Sequence, residues 1–307
     1  FRVELGEDDP NLPGRRRYSA HEVASRLSFL LTGGPPDDEL RDAAERGALT
    51  ETGPLAAQAE RLLAAPAARA AVSAFFGEYL NLSRLATLSK DRALFPQVTP
   101  PLLAAMSHEV LRDVEDVVFT RRADVRELWT GDRTYVNAGL AALYGLPPPD
   151  KPEADGFAAV TLPAQSRRGG LLGTAALLAL NANATVTSPT HRGKFVRAQL
   201  LCQDIPPPPP GVTTSLEPPN GMPTTLRQRL EKHRESPACR GCHERMDPIG
   251  LGLENFDAIG AFRDKESGLV VDARGDLDGA AFVGAQGLGA LVAMQPTLAP
   301  CLARQIY

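Results

Sequence analysis

The run Cys239-Arg240-Gly241-Cys242-His243 constrains this 307-residue chain more than any other stretch. Two thiols three positions apart fall on one helical turn, with an imidazole directly after the second. That spacing is the attachment pattern for a c-type haem: each thiol adds to one porphyrin vinyl group, and the adjacent histidine is held under the iron as its proximal ligand. The same residues also fit a structural zinc site, with Cys239, Cys242 and His243 or His233 among its ligands, in which case the chain would be a zinc-stabilised extracellular binding module. A redox dithiol and a plain disulfide are further readings, although no strand-then-helix context like that of a thioredoxin fold precedes the pair.

Apolar residues make up 43% of the chain and charged ones 23%, the balance of a soluble globular protein long enough for two or three domains. The net charge is only -4, with both signs interspersed, so no basic face points to nucleic acid or to an anionic membrane. The longest apolar stretch, Gly169 to Leu180, falls short of the roughly 20 residues a bilayer requires, so no transmembrane segment is expected. The chain opens at Phe1 without an initiator Met and stops at Tyr307 in a helix-like run, which reads as part of a longer, processed precursor.

The first half is predicted to be helical. Val23, Leu27, Leu30 and Leu31 form one apolar stripe, and Ser19 with Glu22 fits a capping box. Asp37 and Asp38 begin a second helix, while Pro54 and Pro66 suit the first turns of two more. Leu103, Met106, Val110, Val114 and Val117 share a face of a longer helix, with Glu109, Arg112, Asp113 and Asp116 mostly opposite. The Pro147-Pro148-Pro149 run suggests a domain boundary. Beyond it come a short strand near Phe157 to Leu162, a rigid polyproline linker at Pro206 to Pro210, and a hairpin or calcium loop, without EF-hand spacing, around Asp272, Asp276 and Asp278. The expected architecture is mainly α: a helical scaffold domain over 1–146, a cytochrome c-like haem domain over 157–262 with small β hairpin insertions, and a C-terminal hairpin and helix over 263–307 that reads as truncated.

Phe1-Arg2-Val3-Glu4, Arg26-Leu27-Ser28-Phe29-Leu30, Pro36-Asp37-Asp38-Glu39-Leu40, Arg167-Arg168-Gly169-Gly170-Leu171-Leu172, Thr187-Ser188-Pro189, Arg192-Gly193-Lys194 and the stretch from Cys239 to Asp257 carry a resemblance. The chain resembles a family of secreted bacterial cytochromes, found especially in planctomycetes and myxobacteria, assembled from domains of unknown function 1595, 1592, 1588 and 1585. The resemblance implies export to the periplasm or beyond, one covalent haem c, and often a partner cytochrome domain; it implies no substrate. Asn183 stands where many relatives have His, so no ligand role carries over to it.

The opposite side of the iron separates electron transfer to a redox partner from catalysis of peroxidase or oxygenase type, because only an open position admits substrate. His233 is the first candidate ligand, His191 the second and Met294 the third; Met246 shares the His243 helix face and cannot cross the ring. Arg192, Lys194 and Arg197 are candidates for the haem propionates. His21 and His108 read as surface residues. With two cysteines assigned to haem, Cys202 and Cys301 are expected to pair in an oxidising compartment.

Overall fold

The computed structural model describes residues 5–206, 223–235 and 237–306. Helices dominate these residues, and the strands form four separate two-stranded antiparallel sheets, so the chain is mainly α as expected. It divides into two compact units, residues 1–76 and 77–307. The expected proline linker lies outside the described residues apart from Pro206.

The first unit contains helices Ala20–Thr32, Asp38–Glu45 and Thr52–Ala64 and ends within helix Pro66–Tyr79. Its helix starts follow local chemistry. The Ser19 hydroxyl accepts from the Glu22 N–H while the Glu22 carboxylate accepts from the Ser19 N–H. Asp37 accepts from the Leu40 N–H and is gripped by both terminal nitrogens of Arg61 at 2.7 and 2.8 Å. Val23, Leu27 and Leu31, spaced four apart, pack on Leu40, Ala43, Leu49 and Leu62. Leu30 falls on the flank of that seam and is exposed.

The second unit is organised around helix Pro100–Glu115, which buries Leu103, Met106, Val110 and Val114 and then widens into a π turn at Asp116–Thr120. Its charged residues do not all face away from the core as expected. Glu109 is fully buried and Asp116 nearly so, because Thr134, Tyr135 and Tyr144 supply hydroxyls to them from other elements. The proline-rich stretch after Leu146 follows helix Ala138–Tyr144 and leads into strand Ala158–Thr161, which pairs with strand Arg133–Val136, Arg133 opposite Thr161. That pairing keeps residues 77–146 in the same compact unit as the Cys-x-x-Cys-His run.

Cys202 and Cys301 are disulfide-bonded, as expected, fastening helix Leu298–Ile306 to the segment after the π turn Phe195–Leu200. Their separation of 99 residues places them where cross-linking restricts the unfolded chain strongly, by about 4–5 kcal/mol in the chain-entropy view. Replacing both with serine is expected to lower stability by about 2–5 kcal/mol in urea titrations. An unchanged unfolding midpoint would show that the bridge contributes nothing.

Candidate functional site

The Cys-x-x-Cys-His run lies on helix Pro237–Leu251, here the motif helix. It is held against a short helix, Pro189–Lys194, by backbone-to-backbone contact. Two glycines make that approach possible. A β-carbon on Gly193 would overlap the Met246 carbonyl, and one on Gly250 would overlap that of Pro189. Ser188 starts the short helix by accepting from the His191 N–H, with Pro189 in its first turn.

Cys239 and Cys242 are free thiols, half-buried and one helical turn apart. His243 follows at once, and its Nδ1 lies 2.9 and 3.1 Å from the two carboxylate oxygens of Asp247, one turn further along. Asp247 is 0% exposed and also accepts from the Thr190 hydroxyl at 2.8 Å. A donor at Nδ1 fixes the tautomer in which Nε2 carries a lone pair. Two thiols and one basic imidazole nitrogen are the donor set that a covalent haem requires, so the residues present fit the group.

His233 closes helix Leu226–His233 and meets His243 edge to face, with ring centroids 4.8 Å apart and planes at 71°. Burial, and then the neighbouring His243, hold its pKa below the usual histidine value, which keeps it neutral with a lone pair to offer. The spacing is shorter than that of imidazoles on opposite sides of one metal, where each nitrogen–metal bond takes about 2 Å. His233 therefore serves as an opposite ligand only if its helix moves away from His243.

Of the other expected residues, His191 and Lys194 are exposed on the short helix. Partial burial, with the charges of Lys194 and Arg84, lowers the His191 pKa. Met294 is 69% exposed and Met246 is buried. Asn183 takes no side-chain part: its carbonyl accepts from the buried Lys90 ammonium, which also bonds the carbonyls of Ala179 and Ala182. Arg192, expected at a haem propionate, is instead buried. Its terminal nitrogens donate to the carbonyls of Leu253, Phe256 and Asp257 and to the Glu254 carboxylate. Glu254 in turn accepts from Thr187 at 2.7 Å and Arg263 at 2.7 Å, and Asn255 accepts from Arg167 at 2.6 Å. The Leu253-to-Asp257 stretch is thus a lock that ties the chain after the motif helix to the short helix. Arg197 is likewise engaged, bidentate with Asp278.

The calcium-loop reading gives way to a hairpin. Strands Arg274–Leu277 and Ala280–Val283 pair across Asp278-Gly279, both left-handed at φ 54° and 90°, a two-residue turn that this sequence suits. Asp272 pairs with Arg274, Asp276 accepts from the Gly279 N–H, and Asp278 holds Arg197. Among the described residues no group of three or more His, Cys, Asp or Glu side chains is arranged to hold a metal ion, so the zinc reading gains no support.

Residues 18–146 match a family described as a protein of unknown function, DUF1592, and residues 168–266 match a second, described as a protein of unknown function, DUF1588. The two matches follow one another along the chain. Both are among the domains named by the sequence resemblance. No curated protein and no solved structure matches the chain. The DUF1588 stretch carries the thiols, the histidine and the Arg192 lock together, whereas the DUF1592 stretch carries Glu109, Asp113 and their partners Thr134 and Tyr144. Sequence reading missed Asp247 and the buried carboxyls. The i, i+4 spacing of His243 and Asp247 on one helix face was the available signal for the first.

Proposed function

We propose that this chain binds one haem c covalently through Cys239 and Cys242, with His243 Nε2 as the axial ligand, and transfers electrons in the periplasm or outside the cell. The observation that carries this reading is the thiol pair on one helical turn beside an imidazole whose Nδ1 is held by the buried Asp247. The bound haem supplies a one-electron ferric/ferrous couple. The protein holds the ring in place, orients His243, and sets burial around it. The Cys202–Cys301 disulfide suits an oxidising compartment, and no described helix is long and apolar enough to cross a membrane. Its partner is a redox protein or another cytochrome domain.

A haem enzyme of peroxidase or oxygenase type is the second reading. It is favoured by the packing of His233 against His243 and by the exposure of His191 and Met294, which leave none of these three poised as a sixth ligand. Ready binding of carbon monoxide to the reduced protein supports that reading, and resistance to it supports electron transfer.

Expressed in a host that matures c-type haem, the protein is expected to keep a haem stain on a denaturing gel. The double variant Cys239→Ala, Cys242→Ala is expected to lose the stain completely. Undiminished staining in the double variant would rule out attachment at these thiols.

A further inference from the structure

We propose that Asp247 is a positioning residue that tunes the iron through His243, so that the protein operates at a low reduction potential. This rests on the haem reading above and adds a residue and a direction to it. Asp247 is fully buried, lies on the next turn of the same helix, and reaches Nδ1 with both carboxylate oxygens. A buried carboxylate at that nitrogen orients the ring and makes Nε2 a stronger donor. The added negative charge stabilises ferric over ferrous iron, because low-dielectric surroundings screen it weakly.

Thr190 is the second control on the same charge. Its hydroxyl donates to Asp247 Oδ1 at 2.8 Å from the short helix, drawing charge away from the imidazole. The Gly193 and Gly250 contacts that bring the two helices together are what put Thr190 within reach of Asp247. Thr190 and His243 thus compete for one carboxylate, so removing the Thr190 hydroxyl and neutralising Asp247 have opposite consequences.

The test is the reduction potential of the purified haem-loaded protein at pH 7, with Asp247→Asn and Thr190→Val beside the wild type. Asp247→Asn is expected to raise the potential by one to two decades in the ferric/ferrous affinity ratio, about 59 mV per decade for a one-electron couple. Thr190→Val is expected to lower it by a smaller amount, since the carboxylate is then concentrated on His243. A packing defect alone moves both variants the same way. If Asp247→Asn does not accumulate, the sign of the Thr190→Val shift decides alone. Haem-loaded variants with the wild-type potential would overturn the role of Asp247, whereas a wild type without covalent haem would overturn the haem reading instead.

Discussion

Arg192→Ala is expected to cost about 3–5 kcal/mol of stability, a large part of the roughly 5–15 kcal/mol that holds a domain folded. The guanidinium is 2% exposed and lies 3.2 Å from Glu254, itself 2% exposed. Removing it takes the side-chain donor from the buried Phe256 carbonyl and a second donor from the Leu253 and Asp257 carbonyls, which keep the N–H groups of Phe256 and Gly260. Glu254 then keeps only Arg263 to compensate its charge. Burial already pushes the Arg192 pKa down to about 10, a sign that the site tolerates the cation only because so many acceptors converge on it. Arg192→Lys retains the charge but not the planar fork, and is expected to fall between alanine and wild type. Lys194→Ala, two positions away and exposed, should stay within about 0.5 kcal/mol. Urea unfolding of the three variants checks the order; an Arg192→Ala protein as stable as Lys194→Ala would mean that the lock does not hold the fold.

The second large effect is a pH dependence set by Glu109 and Asp113. The Thr134 hydroxyl has one proton, yet it lies 2.9 Å from Glu109 Oε1 and 2.9 Å from Asp113 Oδ2. It donates to one carboxyl, and the other must be a protonated acid that donates to it. Tyr144 donates to Glu109 at 2.6 Å, while its own oxygen accepts from the Ala175 N–H at 2.8 Å. Glu109 therefore collects two donors and is the first of the pair to ionise, while Asp113 keeps its proton to higher pH. Burial raises both carboxyls, Glu109 up to about 7 and Asp113 well above its usual range, with the Glu109 charge adding to the second; Arg168 and Asp116 are the other charged groups that act on the pair.

An acid raised on folding binds more protons folded than unfolded, so its contribution is complete below the unfolded value and is lost as pH climbs. For Asp113 the loss begins near pH 4 and runs at about 1.4 kcal/mol per pH unit until its folded value is reached. Asp113→Asn keeps a neutral side chain of the same shape and removes that proton. Relative to this variant, the wild type is expected to lose stability as pH rises from 5 to 7. Parallel stability curves for the two proteins would contradict a protonated Asp113.

What was legible in the sequence was local. The Ser19–Glu22 box, the Asp37 cap and the Val23, Leu27, Leu31 seam are set by residues three or four apart, and all are present. Glu109 was misread because a carboxylate mid-helix normally marks the solvent face, and its partners Thr134 and Tyr144 stand 25 and 35 residues away. Arg192 was misread for the same reason, its acceptors lying 61 to 65 residues on. Clustered prolines after Leu146 stand where the DUF1592 match ends, but proline content says nothing of the pairing of strands Arg133–Val136 and Ala158–Thr161 across them. The thiols and His243 stand out by spacing alone, while the carboxylate that orients the imidazole is signalled only by its i, i+4 offset from His243.

The most direct test of the central claim is a pyridine haemochrome spectrum of the protein purified from a host competent in c-type haem maturation, with metal analysis of the same sample. One c-type haem per chain, surviving acid-acetone extraction, is the expected result. A colourless protein from that host, above all one containing stoichiometric zinc, would contradict it and return Cys239, Cys242 and His243 to a structural metal site.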